Sequence, residues 1–224
     1  MFNPSRLYGL SGSPRKSKDS GQTESIFYYY GPVIAEHLAA QIKPTVEIIN
    51  TRVNIPVCVN YAQMEDSVVA HESRNKLIVG LGSCEAITGR KVLIMLKRVE
   101  HCRIIKKMLP DWGDLIYHAD GEDPERNNIL MAMRSGERDF RILIGTTSML
   151  SAGLDIPKLD VLIFGASIKS DVMVQQGAGR ITRLFADKES AKIYDLHDVI
   201  IKYNKETGKY TRTGNPIYMN QARE

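Results

Sequence analysis

From about residue 89 the chain alternates short apolar runs with amphipathic stretches. Lys91-Val92-Leu93-Ile94-Met95-Leu96 reads as a buried strand. Val99, Cys102, Ile105 and Leu109 then recur at helical spacing, and Pro110 closes that helix. Leu115–His118 predicts the next strand. Asp123 and Pro124 form a cap and first-turn pair, Ile129, Leu130 and Met133 supply an apolar helix face, and Gly136 ends the helix. Arg141–Gly145, Val161–Phe164 and Ile193–Leu196 predict three further strands. Continuous apolar strands alternating with helices imply a parallel α/β sheet covered on both faces. In such sheets the chemistry sits in loops at the carboxyl ends of the strands.

The first third is less regular. Leu7–Leu10 reads as a short strand, Val46–Ile49 as the first strand of the main domain, and residues 65–87 as helical. The tail after Tyr203 is polar, holds Gly208, Gly214 and Pro216, and is expected to be extended or loose.

Composition narrows the class without choosing a function. Apolar residues at 43% and charged residues at 25% fit a globular protein. No apolar run approaches a membrane-spanning length, and the N-terminus leads into no signal-peptide pattern, so a cytoplasmic chain without membrane contact is expected. Three widely spaced cysteines and five scattered histidines give no disulfide framework and no metal-ligand spacing. A net charge of +4 is compatible with a nucleic-acid partner and does not demand one.

Chemistry concentrates in a few strings. Gln176-Gly177-Ala178-Gly179-Arg180-Ile181-Thr182-Arg183 places two arginines three residues apart, on one helical face. Each guanidinium offers a planar fork of donors suited to phosphate oxygens. Thr146 and Thr147 sit where a strand ends, with hydroxyls available to a phosphate backbone. The segment continues through Gly153 to Asp155-Ile156-Pro157, where Gly153 permits close backbone approach and Asp155 accepts hydrogen bonds or caps a turn. Lys97 and Arg98 lie just past a strand, either meeting phosphates or solvated at a helix start. His101 reads as a helix-surface residue, and His118 is given no catalytic role.

These strings resemble the motifs of superfamily 2 helicases and translocases. QxxGRxxR at 176–183 is similar to motif VI, Ile144–Pro157 to motif V, and Lys91–Cys102 to the strand-to-helix unit around motif IV, in the family's order. Ile116–Gly121 and Ala191–Asp198 resemble two further strands of the same domain. Arg6–Pro14 resembles motif III, with Gly12 in place of the usual alanine, and Gly31-Pro32-Val33-Ile34 resembles the connector of DNA-directed members.

The resemblance implies a RecA-like C-terminal motor domain over residues 46–205, a remnant of the first RecA-like domain with its connector over 1–45, and a polar tail over 206–224. It implies that Arg180 and Arg183 act as catalytic arginines toward ATP and that Gln176, Gly179, Gly153 and Asp155 line the nucleotide cleft. Thr146, Thr147, Lys97 and Arg98 would contact nucleic acid, DNA ahead of RNA. ATP with Mg would be held mainly by a first RecA-like domain, in cis or in trans, because the sequence contains no GxxxxGK[ST] and no DExH or DExD string before Ser11. The chain alone is therefore expected to be inactive, as a truncated or split protein.

Two alternatives stay open at this point. Leu10–Ser17 also resembles the phosphate loop of flavodoxin-like FMN reductases, where backbone amides hold the flavin phosphate. A helicase-like module that binds nucleic acid without catalysis is the other.

Overall fold

The computed structural model describes residues 9, 21–35, 41–56, 61–119, 123–148, 156–166, 171–185, 188–204, 207 and 209–212. In chain order these form α1 (Gln22–Tyr30), β1 (Pro44–Pro56), α2 (Tyr61–Val69), α3 (Glu72–Ile87), β2 (Val92–Leu96), α4 (Val99–Met108), β3 (Ile116–His118), α5 (Arg126–Ser135), β4 (Ile142–Thr146), β5 (Val161–Phe164), α6 (Asp171–Ile181), β6 (Ala191–Asn204) and β7 (Lys209–Arg212). The chain divides into two compact units, Met1–Ala40 and Gln41–Glu224.

In the larger unit six strands pair in parallel in the order β1-β6-β5-β2-β4-β3. Strands β2, β4 and β5 are buried at every position, as expected of a parallel sheet with helices on both faces. The alternation of side chains splits the core in two. Val92, Ile94 and Leu96 of β2 join Ile78 and Ala86 of α3 and Cys102 and Ile105 of α4. Leu93 and Met95 join Met133 of α5 and Val174 and Ile181 of α6. This is the parallel α/β sheet the alternating pattern implied, and the RecA-like arrangement the resemblance implied. Gly136 ends α5 at φ 88°, a left-handed conformation glycine adopts without steric cost.

Three elements differ from the sequence expectation. The helical stretch 65–87 divides into α2 and α3 around His71, which is extended, because Asn75 Nδ2 donates to the Val69 carbonyl at 2.8 Å and caps the end of α2. Strand β6 runs past Leu196 to Asn204. Its far end is held by β7, which pairs antiparallel from Ile201 to Asn204 where a loose tail was expected to begin. Ile201 pairs with Pro56 on one edge and Arg212 on the other, so β7 lies on the β5 side of β6, beyond the end of β5.

In the smaller unit α1 ends at Gly31, whose N–H reaches the Phe27 carbonyl at 2.9 Å with φ 78°. The expected strand Leu7–Leu10 and the string resembling motif III lie outside the described residues, Gly9 apart. Among the described residues the parallel sheet begins with β1 at Pro44. Ser11–Ser17, the string of the flavodoxin-like alternative, lies outside them.

Candidate phosphate and nucleic-acid sites

The register of the sheet sets the first group. Leu96 of β2 pairs with Thr146 of β4, so Lys97 and Arg98 step off the sheet beside the threonine. Thr146 is buried, with Oγ1 2.7 Å from Ser148 Oγ, while Thr147 is half-buried. Lys97 is exposed and hydrogen-bonds Glu65 of α2. Arg98 hydrogen-bonds Asp66, lies 3.4 Å from Glu65, and donates to the Ala62 carbonyl at 3.0 Å. The four residues share one edge of the sheet, and α2 supplies the carboxylates that engage the two cations.

The second group sits at the other end of α6. This helix leaves the carboxyl edge after β5 and runs back across the sheet, a length of roughly 16 Å for its 11 residues. Gln176 and Arg180 are four residues apart and therefore neighbours on one helix surface. Gln176 is exposed and Arg180 half-buried. Gly179 lies between them in sequence, and a Cβ placed there would meet nothing within 4 Å.

Arg183 departs from the expected common helical face. The helix ends at Ile181, and the Thr182 N–H makes its last helical bond, to the Ala178 carbonyl at 3.1 Å. The segment before β1 then takes over: Ile42 N–H donates to the Thr182 carbonyl at 2.8 Å, and Gln41 bridges Arg183 in antiparallel fashion. Arg183 is thus exposed two residues past the helix, bridged to the segment before β1. Gly153 and Asp155 lie outside the described residues. The next residue, Ile156, packs in the same apolar cluster as Ile181, and Lys188 Nζ donates to the Pro157 carbonyl at 3.3 Å.

One buried polar network was not anticipated. Arg74 is 1% exposed on the core face of α3, in line with Ile78, Gly82 and Ala86. Its Nε lies 2.9 Å from Asp198 Oδ2, and its Nη1 donates to the Gly165 carbonyl at 2.8 Å. His101 corrects the expectation of a helix-surface residue: it is 2% exposed, with Nε2 2.8 Å from Asn75 Oδ1. Burial, and then the charge of Arg74, push its pKa down to about 3. The signal for Arg74 was present in the sequence, since its spacing to Ile78 puts a charged residue on an apolar helical face.

A parallel RecA-like sheet, cations beside its carboxyl edge and an arginine-bearing helix behind it define a motor-domain class, the C-terminal domain of superfamily 2 helicases. The chain belongs to the helicase conserved C-terminal domain family, whose model matches residues 73–185, just over half of it. It is similar to the ATP-dependent DNA helicase uvsW of Enterobacteria phage T4, at 28% identity over 56% of this chain and 25% of that protein. It is similar also to the probable helicase D10 of Escherichia phage T5, at 25% identity over 84% of this chain and 42% of that protein. Transcript termination protein A18 of Yaba monkey tumor virus matches at 26% over 76% of this chain and 35% of its own length. The crystal structure of T4 UvsW shares the fold, with a TM-score of 0.55 and 20% identity over 77% of this chain and 36% of that one. The chain therefore spans less than half the length of these relatives.

Proposed function

We propose that this chain acts as the second motor half of an ATP-driven nucleic-acid helicase or translocase, with DNA as the favoured substrate. The observation that carries the reading is the end of α6. There Gln176 and Arg180 share a helix surface, Arg183 follows just beyond the helix, and a Cβ at Gly179 would meet nothing within 4 Å. Two guanidinium groups and a carboxamide are a donor set for phosphate oxygens, and stabilising charge on a transferring phosphoryl group is what catalytic arginines do. Such a set suits the outer phosphate of a triphosphate by its chemistry. A phosphate-cradling loop and magnesium-holding acids would come from a first RecA-like domain, in cis or in trans. Bound there, ATP with Mg supplies the phosphoryl transfer.

The second half of the proposal concerns the nucleic acid. Thr146, Thr147, Lys97 and Arg98 occupy adjacent strand ends and offer hydroxyls and cations to a phosphate backbone, contacts that position a strand without reading its sequence. The separation of this group from the arginines along α6 supports two distinct jobs.

The test is an ATPase assay on the chain alone and with a first motor domain supplied. The chain alone should show no turnover above background. The pair should hydrolyse ATP in a nucleic-acid-stimulated manner that Arg180→Ala removes. Robust turnover by the chain alone overturns the two-half reading. An assembled, nucleic-acid-binding pair without turnover favours a module that only binds.

A further inference from the structure

The exit of β5 is clamped from three sides. Gly165 follows the strand, and its N–H donates to the Met95 carbonyl at 2.9 Å. A Cβ at Gly165 would stand 2.6 Å from Leu96 Cδ2 and 3.2 Å from Ile78 Cδ1, so the backbone is pressed onto two fully buried side chains. Its carbonyl accepts the Arg74 Nη1 hydrogen bond at 2.8 Å. Six residues further on the chain enters α6, the helix that carries Arg180.

Arg74 is itself held. Asp198 grips its Nε with both oxygens, at 3.1 and 2.9 Å. Asp198 Oδ1 also accepts from Thr51 Oγ1 at 2.7 Å. Thr51 reaches it because the β1–β6 register shifts between Asn50 and Asn54, with Arg52 at φ 56°. That left-handed conformation is uncommon for a residue with a Cβ, and it is stabilised where the Asn50 side chain accepts the Arg52 N–H at 3.1 Å. A bulge in β1 therefore aims a hydroxyl at the carboxylate that orients the guanidinium, which in turn holds the Gly165 carbonyl at the exit of β5.

We propose that Arg74, braced by Asp198 and Thr51, is a positioning residue that sets the placement of α6 and through it the aim of Arg180 at phosphate. The proposal rests on the phosphoryl-transfer reading of α6. The planar fork matters, because one edge must serve a carboxylate on β6 while another nitrogen reaches a carbonyl after β5. Lysine offers a point charge that holds Asp198 or Gly165 and not both in this geometry. A buried ion pair is weak evidence for stability as such, which leaves geometric specificity as its contribution here.

The experiment compares Arg74→Lys and the milder Thr51→Val with the unaltered chain. Amide hydrogen exchange is read on the chain alone, by element. Steady-state ATP hydrolysis is read with a first motor domain supplied, with Arg180→Ala as the reference. For Arg74→Lys the expected result is about tenfold faster exchange confined to residues 171–181 while β2 and β4 keep their protection. With it goes a kcat lowered about tenfold at an ATP KM within about twofold, the signature of lost aim in the transition state. Thr51→Val should move both readouts the same way by less. Unchanged α6 exchange and unchanged kcat overturn the proposal. So does loss of protection spread evenly over all elements in both variants, which marks a purely structural pair. If Arg180→Ala leaves turnover intact, the phosphoryl-transfer reading fails instead, and the exchange data still decide whether Arg74 places α6.

Discussion

His101 Nε2 lies 2.8 Å from Asn75 Oδ1, and the contact fixes the protonation of the ring. Asn75 already donates through Nδ2 to the Val69 carbonyl, so its oxygen faces the imidazole and Nε2 carries the hydrogen. The pair ties α4 to α3 at the point where α3 meets α2. Arg74 stands beside it on α3, while Glu65 of α2 and Lys97 and Arg98 before α4 line the same small cavity.

This arrangement predicts acid sensitivity. The folded pKa of His101 is about 3 against an ordinary 6.5, with burial the larger cause and the Arg74 charge the smaller. A depressed pKa stabilises the fold in full above 6.5, and that contribution is lost as pH falls toward 3. Between pH 7 and pH 5 the cost is about 2 kcal/mol. Urea unfolding at the two pH values measures it, and His101→Gln should flatten the difference by about that amount. An equally steep pH dependence in the variant would remove His101 as its source.

The exit of β5 predicts a packing penalty. Gly165→Ala places a methyl group 2.6 Å from Leu96 Cδ2, and both Leu96 and Ile78 are completely buried. Overpacking of this kind costs about 1–3 kcal/mol. Chemical denaturation gives the number directly, and a change within about 0.5 kcal/mol would mean the strand exit yields freely.

Electrostatics at the carboxyl edge predict a gain of binding. Arg98 is engaged by Asp66 and Lys97 by Glu65, so a phosphate must compete with carboxylates of α2. If the strand runs over this edge as proposed, Asp66→Asn should tighten single-stranded DNA binding and steepen its salt dependence, by about 0.7 in log–log slope for one added phosphate contact. Arg98→Ala should shift the slope the other way. Fluorescence anisotropy across a salt series reads both, and slopes that stay fixed would place the strand elsewhere.

What the sequence disclosed and what it hid have separate physical causes. The strands were legible because burial on both faces leaves a continuous apolar run, as at Val92–Leu96 and Val161–Phe164. The end of α5 was legible because left-handed backbone requires a residue such as Gly136. The break between α2 and α3 was not, since it depends on a side-chain cap from Asn75 rather than on proline or glycine. His101 was misplaced because a histidine on an amphipathic helix looks polar until a partner amide is packed against it. Arg183 was set on the helix because local spacing cannot show that Gln41, distant in sequence, pairs with its backbone.

The arginines give the sharpest expectation. Arg180 is half-buried in the last turn of α6, whereas Arg183 is exposed beyond the end of the helix. With a first motor domain supplied, Arg183→Ala and Arg180→Ala should each lower ATP turnover by roughly 10³ to 10⁵, the range for arginines that stabilise phosphoryl transfer. Stability should respond unequally. Arg183→Ala removes an exposed side chain and should cost less than about 0.5 kcal/mol, whereas Arg180→Ala empties a half-buried site and should cost more. Lysine should not restore turnover at either position, because a point charge does not reproduce a two-pronged grip on phosphate oxygens. Single-stranded DNA binding should persist in all four variants, since Lys97, Arg98 and Thr146 lie at the other edge of the sheet. Turnover, thermal melting and DNA titration on the same preparations separate the effects. A variant that melts earlier yet keeps full turnover per folded molecule would make that arginine structural and end its assignment to phosphate.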